Sequence, residues 1–471
     1  MTVDNVNGTS VESVRTAAGD ALVGGGLSSA PGRWLHHWDA EDTEQWEQAG
    51  RSIAKRNLAW SIACEFLGFV VWQLWSIVVV FLPGAGFTFS SSELFWLISV
   101  PSLVGATLRI PYTFMVARFG GRNWTIVSAL LLLIPTLGLA WCVSNPDTPF
   151  GTMVAVAALA GLGGGNFASS MANITYFFPA REKGWALGLN AAGGNLGAAV
   201  AQFAVPLAVT LLAAGTLGLP LAGLMWVPLI LVAAWGAWKY MDNLASAKSD
   251  VAGSLASLRE PHLWILALLY IGTFGSFIGF SAVFPKLIMD SFGPGVGVAI
   301  GPAVISLAFL GALVGSLARP FGGRLADRWG GARVTVCCFG ILALAALAQL
   351  ATLALGSFPL FLALFLVLFA AAGAGNGSTY RMIPMVFALR STTDDGGRVS
   401  AARKASAALG IISAIGAYGG FLVPQVLNAS RQATGGYTGA FIGFVAGYLV
   451  LMALTWAVYL RPSSAAALGK V

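Results

Sequence analysis

The sequence predicts an all-α polytopic membrane protein whose twelve transmembrane helices form two pseudo-symmetric six-helix halves. Three features support this prediction: the composition, the number of long apolar segments and an internal repeat. Of the 471 residues, 57% are hydrophobic and 10% are charged, and the mean hydropathy is +0.78, whereas a soluble protein carries about 25% charged residues. This composition excludes a soluble fold, and runs such as residues 129–139 lack the alternating polarity of a transmembrane barrel.

Apolar segments long enough to cross a bilayer recur along the chain. A helix needs about 20 apolar residues to cross the hydrocarbon core. The sequence contains twelve such spans, approximately at residues 57–82, 92–117, 124–143, 150–178, 184–213, 218–239, 262–288, 297–324, 334–355, 358–388, 401–427 and 438–460. An even number of spans puts both termini on one side of the membrane.

The segments outside the spans divide the chain into six regions. Residues 1–30 are rich in Gly, Ser, Thr and Val without helical periodicity, which predicts a disordered cytoplasmic tail. The tryptophans and charges of residues 31–56 predict an interfacial amphipathic segment. There follow an N-terminal half (57–240), a cytoplasmic linker (241–261), a C-terminal half (262–460) and a cytoplasmic tail (461–471).

The positions of the basic residues predict the orientation. With a cytoplasmic N-terminus, the loops and ends on that side carry 19 Lys and Arg residues from Arg51 onward, whereas the opposite side carries only Lys286 and Arg431. We therefore expect a multi-pass protein of the cell membrane with both termini cytoplasmic. The net charge of +7 reflects this topology, so no nucleic-acid partner is expected.

An internal repeat relates the two halves. At a constant offset of 210 residues, the equivalent pairs are Gly105 and Gly315, Arg109 and Arg319, Arg118 and Arg328, and Asn166 and Asn376. Parallel six-helix halves related by an axis along the membrane normal are typical of alternating-access carriers, which bind substrate near the midplane.

Two arginines lie inside apolar spans at equivalent positions of the repeat. Arg109 falls in span two and Arg319 in span eight, and each buried Arg costs about 2.5–3.5 kcal/mol unless it is compensated. The spans offer one carboxylate, Glu65, for the two guanidiniums. The planar guanidinium presents paired donors to an oxyanion, so we predict a shared site for a small anion.

Three other polar residues in the spans each allow two interpretations. Glu65 lies four residues before Phe69, on the same helical face, and is either a proton-coupling group or a structural carboxylate that pairs with an Arg or caps backbone groups. The Asn195 amide either donates to the anion or bonds to another helix. Arg381 lies either near the cytoplasmic gate or beside Glu65.

Other residue types indicate packing and give no sign of catalysis. The 59 glycines cluster in spans four, five and eleven, which predicts close helix packing. The four cysteines lie in apolar runs, and the three histidines offer no ligand spacing with them. We therefore expect no metal and no cofactor, and the chain lacks the nucleophile–base pair of an enzyme.

The loop after span eight carries a specific motif. Residues 323–330 read Gly-Arg-Leu-Ala-Asp-Arg-Trp-Gly, which resembles the Gly-x-Leu-x-Asp-Arg-x-Gly loop of the major facilitator superfamily. The equivalent loop of the first half has Ala117 where the acid would be, so the motif is degenerate there.

Several segments are similar to the nitrate/nitrite porter family of that superfamily. These segments are LRIPYTFM at residues 108–115, GGGNFASSMANITYFF at 163–178, GWALGLNAAGGNLG at 184–197, TFGSFIGF at 273–280 and AIGAYGGF at 414–421. The resemblance extends over nearly the whole chain from about Ser61.

The resemblance implies a function and a set of binding residues. Arg109 and Arg319 match the arginines that clamp the anion, Phe69, Phe167 and Phe274 match the aromatic wall, Tyr270 matches the tyrosine that lines the pocket, and Asn195 matches a polar residue near the anion. It implies a secondary active transporter of nitrate and nitrite, working by nitrate/nitrite exchange or by proton-coupled nitrate uptake, and we expect a monomer. A facilitator for another small organic or inorganic anion is the alternative.

Overall fold

The computed structural model describes residues 21–24, 27–211, 218–247, 257–300, 303–390 and 407–461. The described residues form twelve long helices, and this confirms the predicted fold class. They are α1 (Thr43–Val78), α2 (Ser91–Phe119), α3 (Gly121–Val143), α4 (Phe150–Phe177), α5 (Ala180–Leu211), α6 (Leu221–Tyr240), α7 (Pro261–Phe292), α8 (Phe309–Trp329), α9 (Gly331–Leu355), α10 (Phe358–Ala388), α11 (Ala407–Thr434) and α12 (Thr438–Leu460).

Eleven of these helices are long and apolar enough to span a bilayer, whereas α8 is long enough but less apolar. Its 21 residues give a length of about 31 Å, which matches the ~30 Å hydrocarbon core. It carries Arg319 in its middle and three further charged residues in its last two turns. The helix with the least apolar central stretch is therefore one of the two that carry a buried arginine.

The two halves, α1–α6 and α7–α12, meet through helices at equivalent positions of the repeat. Helix α2 packs against α11, α5 packs against α8, and α1 packs against α7. Since α2 is equivalent to α8 and α5 to α11, the interface has the pseudo-two-fold symmetry that the repeat predicts. The arginines of α2 and α8 therefore approach the same central region from opposite halves.

Short strands mark the two ends of the helix bundle. Strands β1 (Ala21–Gly24), β2 (Leu27–Ala30), β3 (Trp34–His36) and β4 (Asn243–Leu244) form one sheet in that order. Strands β5 (Val298–Ile300) and β6 (Ala303–Ile305) form an antiparallel hairpin at the opposite end. We call the first end the sheet side and the second the hairpin side.

The expected disordered tail is wrong for residues 21–24 and 27–30, which form β1 and β2. The strands are held because β3 continues the sheet and pairs in parallel with β4, just after α6. The buried Asp242 carboxylate before β4 accepts hydrogen bonds from Arg33 (2.6 Å), Arg56 (2.7 Å) and Asn57 (2.8 Å). Residues 1–20 and 25–26 of that tail, 248–256 of the linker and 462–471 of the C-terminal tail lie outside the described residues.

The segment 31–56, predicted to lie along the membrane interface, packs two of its tryptophans against the protein, and its position relative to the membrane stays a prediction. Its helical part joins α1, which begins at Thr43. Trp38 packs edge-on against Phe177 at 5.4 Å, and Trp46 packs against Phe178 at 5.8 Å. Both tryptophans are buried, because the end of α4 offers them an apolar aromatic surface.

The eighth span begins later than expected. We predicted its start at residue 297, but α8 starts at Phe309, and the β5–β6 hairpin occupies part of the preceding segment. Four of the six strand positions are β-branched residues: Val298, Ile300, Val304 and Ile305. Such residues favour strands, and hydropathy alone does not distinguish an apolar strand from the start of a helix.

Glycines set the turns after the two arginine-bearing helices. Gly120 ends α2 with φ +87°, and Gly330 ends α8 with φ +91°. Side chains rarely adopt this left-handed backbone conformation, whereas glycine adopts it at little cost. Gly120-Gly121 and Gly330-Gly331 are separated by the same 210 residues as the other equivalent pairs of the repeat, so the two halves turn in the same way at the same place.

Replacing Gly419 with alanine is expected to destabilise the protein. Gly419 of α11 faces Gly275 of α7, and a Cβ added at Gly419 would lie only 2.8 Å from the carbonyl carbon of Gly275. A methyl group between these backbones forces the helices apart, at a cost of about 1–3 kcal/mol. We expect Gly419→Ala to lower the midpoint temperature of thermal unfolding in detergent. The control Gly447→Ala adds its methyl group to open space on α12, and an equal loss in both variants would contradict the packing argument.

Candidate anion-binding site

The candidate site lies at the centre of the bundle and is built from both halves. Helices α1, α2 and α4 supply Phe69, Arg109 and Phe167 from one half. Helices α7 and α8 supply Tyr270, Phe274 and Arg319 from the other. All six side chains are buried, and the structure brings them into one connected cluster.

Arg109 is fully buried, with 0% of its surface exposed. Its Nε donates to the Gly164 carbonyl of α4 (3.1 Å), and its Nη1 donates to the Ser413 carbonyl of α11 in the other half (3.0 Å). The remaining nitrogen, Nη2, has no hydrogen-bond partner among the described residues. The two backbone contacts fix the plane of the guanidinium and leave one donor available to a ligand.

Arg319 is 4% exposed and also keeps an available donor. Its Nη1 is buried without a hydrogen-bond partner in the part of the chain that the structure describes. Within the same part, neither Arg319 nor Arg109 takes part in an ion pair. Buried polar groups in proteins are almost always hydrogen-bonded, so each guanidinium presents a donor suited to water or to an anion.

One aromatic ring lies close to both guanidiniums. The centroid of Phe167 is 4.4 Å from Arg109 Cζ and 5.5 Å from Arg319 Cζ. The two charged groups can therefore be no farther apart than the sum of these distances. Phe274 stacks on Phe167 at 6.1 Å and lies 5.0 Å from Arg109 Cζ. Aromatic faces attract cations, which offsets part of the cost of burying the arginines.

The other aromatic residues complete the wall. Phe69 packs edge-on against Phe167 at 6.2 Å, and Tyr270 stacks on Phe274 at 5.3 Å. Two contributors were missed by the sequence analysis. Trp72 lies 5.4 Å from Arg109 Cζ, and Tyr380 lies 5.5 Å from Arg319 Cζ. Trp72 follows Phe69 by three residues on the same helical face, a signal that would have found it.

Glu65 is 1% exposed and lies in a polar cluster within the first half. Its Oε2 accepts a hydrogen bond from the Asn190 amide of α5 (2.6 Å) and one from the Ser170 hydroxyl of α4. Ser170 also contacts the Ser61 hydroxyl at 2.9 Å. Glu65 forms no ion pair among the described residues, so the expected structural pairing with an Arg is not seen there.

Asn195 and Arg381 have different surroundings. Asn195 is buried, but the described hydrogen bonds do not join it to either arginine of the site, and its Oδ1 has no partner there. The Arg381 Nε donates to Asp327 of the α8–α9 motif at 2.5 Å, and both side chains are about half exposed. Of the two interpretations of Arg381, pairing with Glu65 is therefore wrong. The equivalents of this pair in the first half are Ala117 and Met171, which cannot form it.

Hydrogen bonds between the halves close the hairpin side of the site. From α11, Gln432 and Asn428 donate to Ser92 of α2 (2.8 and 3.2 Å), and Gln425 donates to Ser99 (2.7 Å). Gln202 of α5 donates to the Ser281 carbonyl of α7 at 2.7 Å. All of these contacts lie nearer to the hairpin side than Arg109, so a ligand in the site is shielded from that side.

Comparisons with known proteins identify the architecture. The family model of the Major Facilitator Superfamily matches residues 65–424. Among solved structures, a point mutant of the nucleoside transporter NupG is similar with a TM-score of 0.57 and 13% sequence identity, covering 85% of this chain and 99% of that chain. This identity supports a likeness in fold alone.

Relatives with higher sequence identity are found among curated proteins. The chain is 44% identical to the nitrate/nitrite transporter NarU of Salmonella typhimurium, covering 91% of this chain and 96% of the relative. NarU of Escherichia coli is 42% identical with the same coverage. The probable nitrate/nitrite antiporter NarK2 of Thermus thermophilus is 38% identical, covering 92% of this chain and 98% of the relative.

Proposed function

The chain belongs to the nitrate/nitrite porter family of the major facilitator superfamily, and from this premise we propose that it carries nitrate and nitrite with the anion bound between Arg109 and Arg319. It is a multi-pass membrane protein and a transporter, not an enzyme. The proposal concerns the anion site, the coupling and the orientation.

The chemistry of the cluster suits a small planar oxyanion. Each guanidinium is a planar donor that does not lose its proton on burial, and each keeps a nitrogen without a partner among the described residues. The aromatic wall exposes rings and few polar groups, so a strongly hydrated or bulky solute would lose its water without compensation. The two available donors, one from each half, are the observation that carries the proposal.

The same geometry supports alternating access. Without an anion, two like charges confront each other across the interface of the halves, and their repulsion is strong where water is excluded. Anion binding neutralises part of this charge and allows the halves to close around the site. We propose that this requirement makes the transport an exchange of nitrate for nitrite; proton-coupled nitrate uptake, with Glu65 carrying the proton, is the alternative.

The orientation follows from the basic residues. The loops and ends predicted to be cytoplasmic are those of the sheet side, so we propose that the sheet side and both termini face the cytoplasm. The closed hairpin side then faces outward, and the conformation of this structure is closed to the outside. We also propose that the carrier works as a monomer, because the site is completed by the two halves of one chain.

Transport assays in proteoliposomes test the function and its coupling. Vesicles loaded with nitrite are diluted into labelled nitrate, with and without an imposed pH gradient. We expect nitrate uptake that requires internal nitrite, saturates, and does not respond to the pH gradient. Uptake driven by the pH gradient without internal nitrite would establish proton coupling. Absence of nitrate uptake, together with no effect of nitrite, would support a carrier for another small anion.

A further inference from the structure

Glu65 is distinguished from the other carboxylates by its burial and by its lack of a basic partner. Of the acidic side chains that the structure describes, only those of Glu65 and Asp242 are buried. Asp242 lies at the sheet side and is bound by Arg33 and Arg56. Glu65 is held by the uncharged groups of Ser170 and Asn190. Its negative charge is therefore not cancelled by a direct partner.

The carboxylate lies about one helical turn from the anion site. Glu65 precedes Phe69 by four residues on α1, and its partner Ser170 follows Phe167 by three residues on α4. Both spacings correspond to one turn on one helical face, or about 5 Å along the axis. At this separation the carboxylate interacts electrostatically with both Arg109 and Arg319.

The hydrogen bonds around Glu65 favour its ionised form. An amide nitrogen can only donate, so the Asn190 Nδ2 contact requires Oε2 to act as an acceptor. Two donors on one carboxylate oxygen stabilise its negative charge. Ser170 and Asn190 belong to α4 and α5 of the same half, and Glu65 to α1. Oε1 has no hydrogen-bond partner among the described residues. An ionised Glu65 is held within this half by these contacts and moves with it during transport.

The charges of Arg109, Arg319 and Glu65 together determine the net charge of the anion site. Two guanidiniums and one carboxylate give a net charge of +1, which one nitrate or nitrite ion neutralises. A divalent oxyanion such as sulfate would leave a net negative charge in a water-poor site, which is unfavourable. We infer that Glu65 is ionised in the site and acts as a fixed counter-charge that makes the carrier selective for monovalent over divalent oxyanions. This inference rests on the proposed anion site between Arg109 and Arg319.

The test is competition by sulfate in the nitrite-loaded vesicles. Nitrate uptake by the wild type is expected to be insensitive to external sulfate. Glu65→Gln keeps the shape of the side chain but removes its charge, so the two guanidiniums leave the site with a charge of +2. The concentration of sulfate that halves nitrate uptake is therefore expected to be at least about tenfold lower in this variant than in the wild type. Glu65→Asp keeps the charge and is expected to remain insensitive. Glu47→Gln removes an exposed carboxylate far from the site and serves as the matched control.

A measurement on the wild type keeps the inference testable if Glu65→Gln does not fold. At millimolar concentration and constant ionic strength, nitrate is expected to raise the midpoint temperature of unfolding, whereas sulfate is not. Equal protection by sulfate, or sulfate insensitivity in folded Glu65→Gln, would overturn the counter-charge role. Proton-driven wild-type uptake that becomes uncoupled in Glu65→Gln would also overturn it. Failure of the wild type to transport nitrate would instead refute the proposed function.

Discussion

Replacing Arg319 or Arg109 with lysine should reduce nitrate transport at least about 100-fold. Lysine keeps the positive charge, so the loss isolates the contribution of the guanidinium geometry. A lysine ammonium cannot present two parallel donors to a planar oxyanion, and each charged hydrogen bond that is lost costs about 1.5–3 kcal/mol. At position 109, lysine must also give up one of the backbone contacts to Gly164 and Ser413. A loss of about 3 kcal/mol corresponds to roughly a 100-fold effect.

The measurement is the initial rate of nitrate uptake into nitrite-loaded vesicles, normalised to the amount of folded transporter. The matched control is Arg381→Lys, because Arg381 is half exposed and pairs with Asp327 outside the site. Exposed ion pairs contribute little stability, so the control is expected to change uptake less than about threefold. Normal uptake in both Arg109→Lys and Arg319→Lys would refute the proposed anion site.

The sequence was sufficient to predict the positions of the two arginines because burial of a charge is costly and the repeat aligns them. It did not predict by physical reasoning which aromatic residues surround them. Phe69, Phe167, Phe274 and Tyr270 were singled out only through the family resemblance, among 29 phenylalanines and 9 tyrosines. Tyr380 was missed because contacts between helices depend on rotation about the helix axis, which composition does not determine, whereas the spacing of Trp72 from Phe69 did place it on the same helical face.

The number of helices was predictable because bilayer thickness fixes the length of an apolar span. The strands were not predictable in this way. Strand β3 lies before the first six-helix half in the sequence, and its partner β4 lies after it. Their pairing depends on the buried Asp242 and its hydrogen-bond partners. Interactions between such distant segments leave no periodic signal in the sequence. The hairpin β5–β6 was merged with span eight for a related reason, since its residues are as apolar as those of a helix.

Cross-linking α2 to α11 on the hairpin side should abolish transport. Ser92 and Gln432 are joined by a hydrogen bond of 2.8 Å between the halves, and alternating access requires this side to open. In a Cys337→Ser background, which removes the exposed native thiol, the double variant Ser92→Cys/Gln432→Cys is treated with a short bis-methanethiosulfonate reagent. We expect nitrate uptake to fall at least about tenfold, because a covalent link removes the open state from the conformational equilibrium. Reduction of the link should restore uptake.

The control must link the same region without joining the two halves. Ser430 of α11 and Gly439 of α12 lie close together on the hairpin side, where a Cβ at Gly439 would be 3.1 Å from the Ser430 hydroxyl. Both belong to the second half, so the pair Ser430→Cys/Gly439→Cys should be cross-linked without loss of uptake. Full transport by the α2–α11 cross-linked protein would mean that the halves do not separate at this contact. The exchange would then require a different moving part, and the hydrogen bonds of Ser92, Ser99 and Gln202 would be static packing contacts.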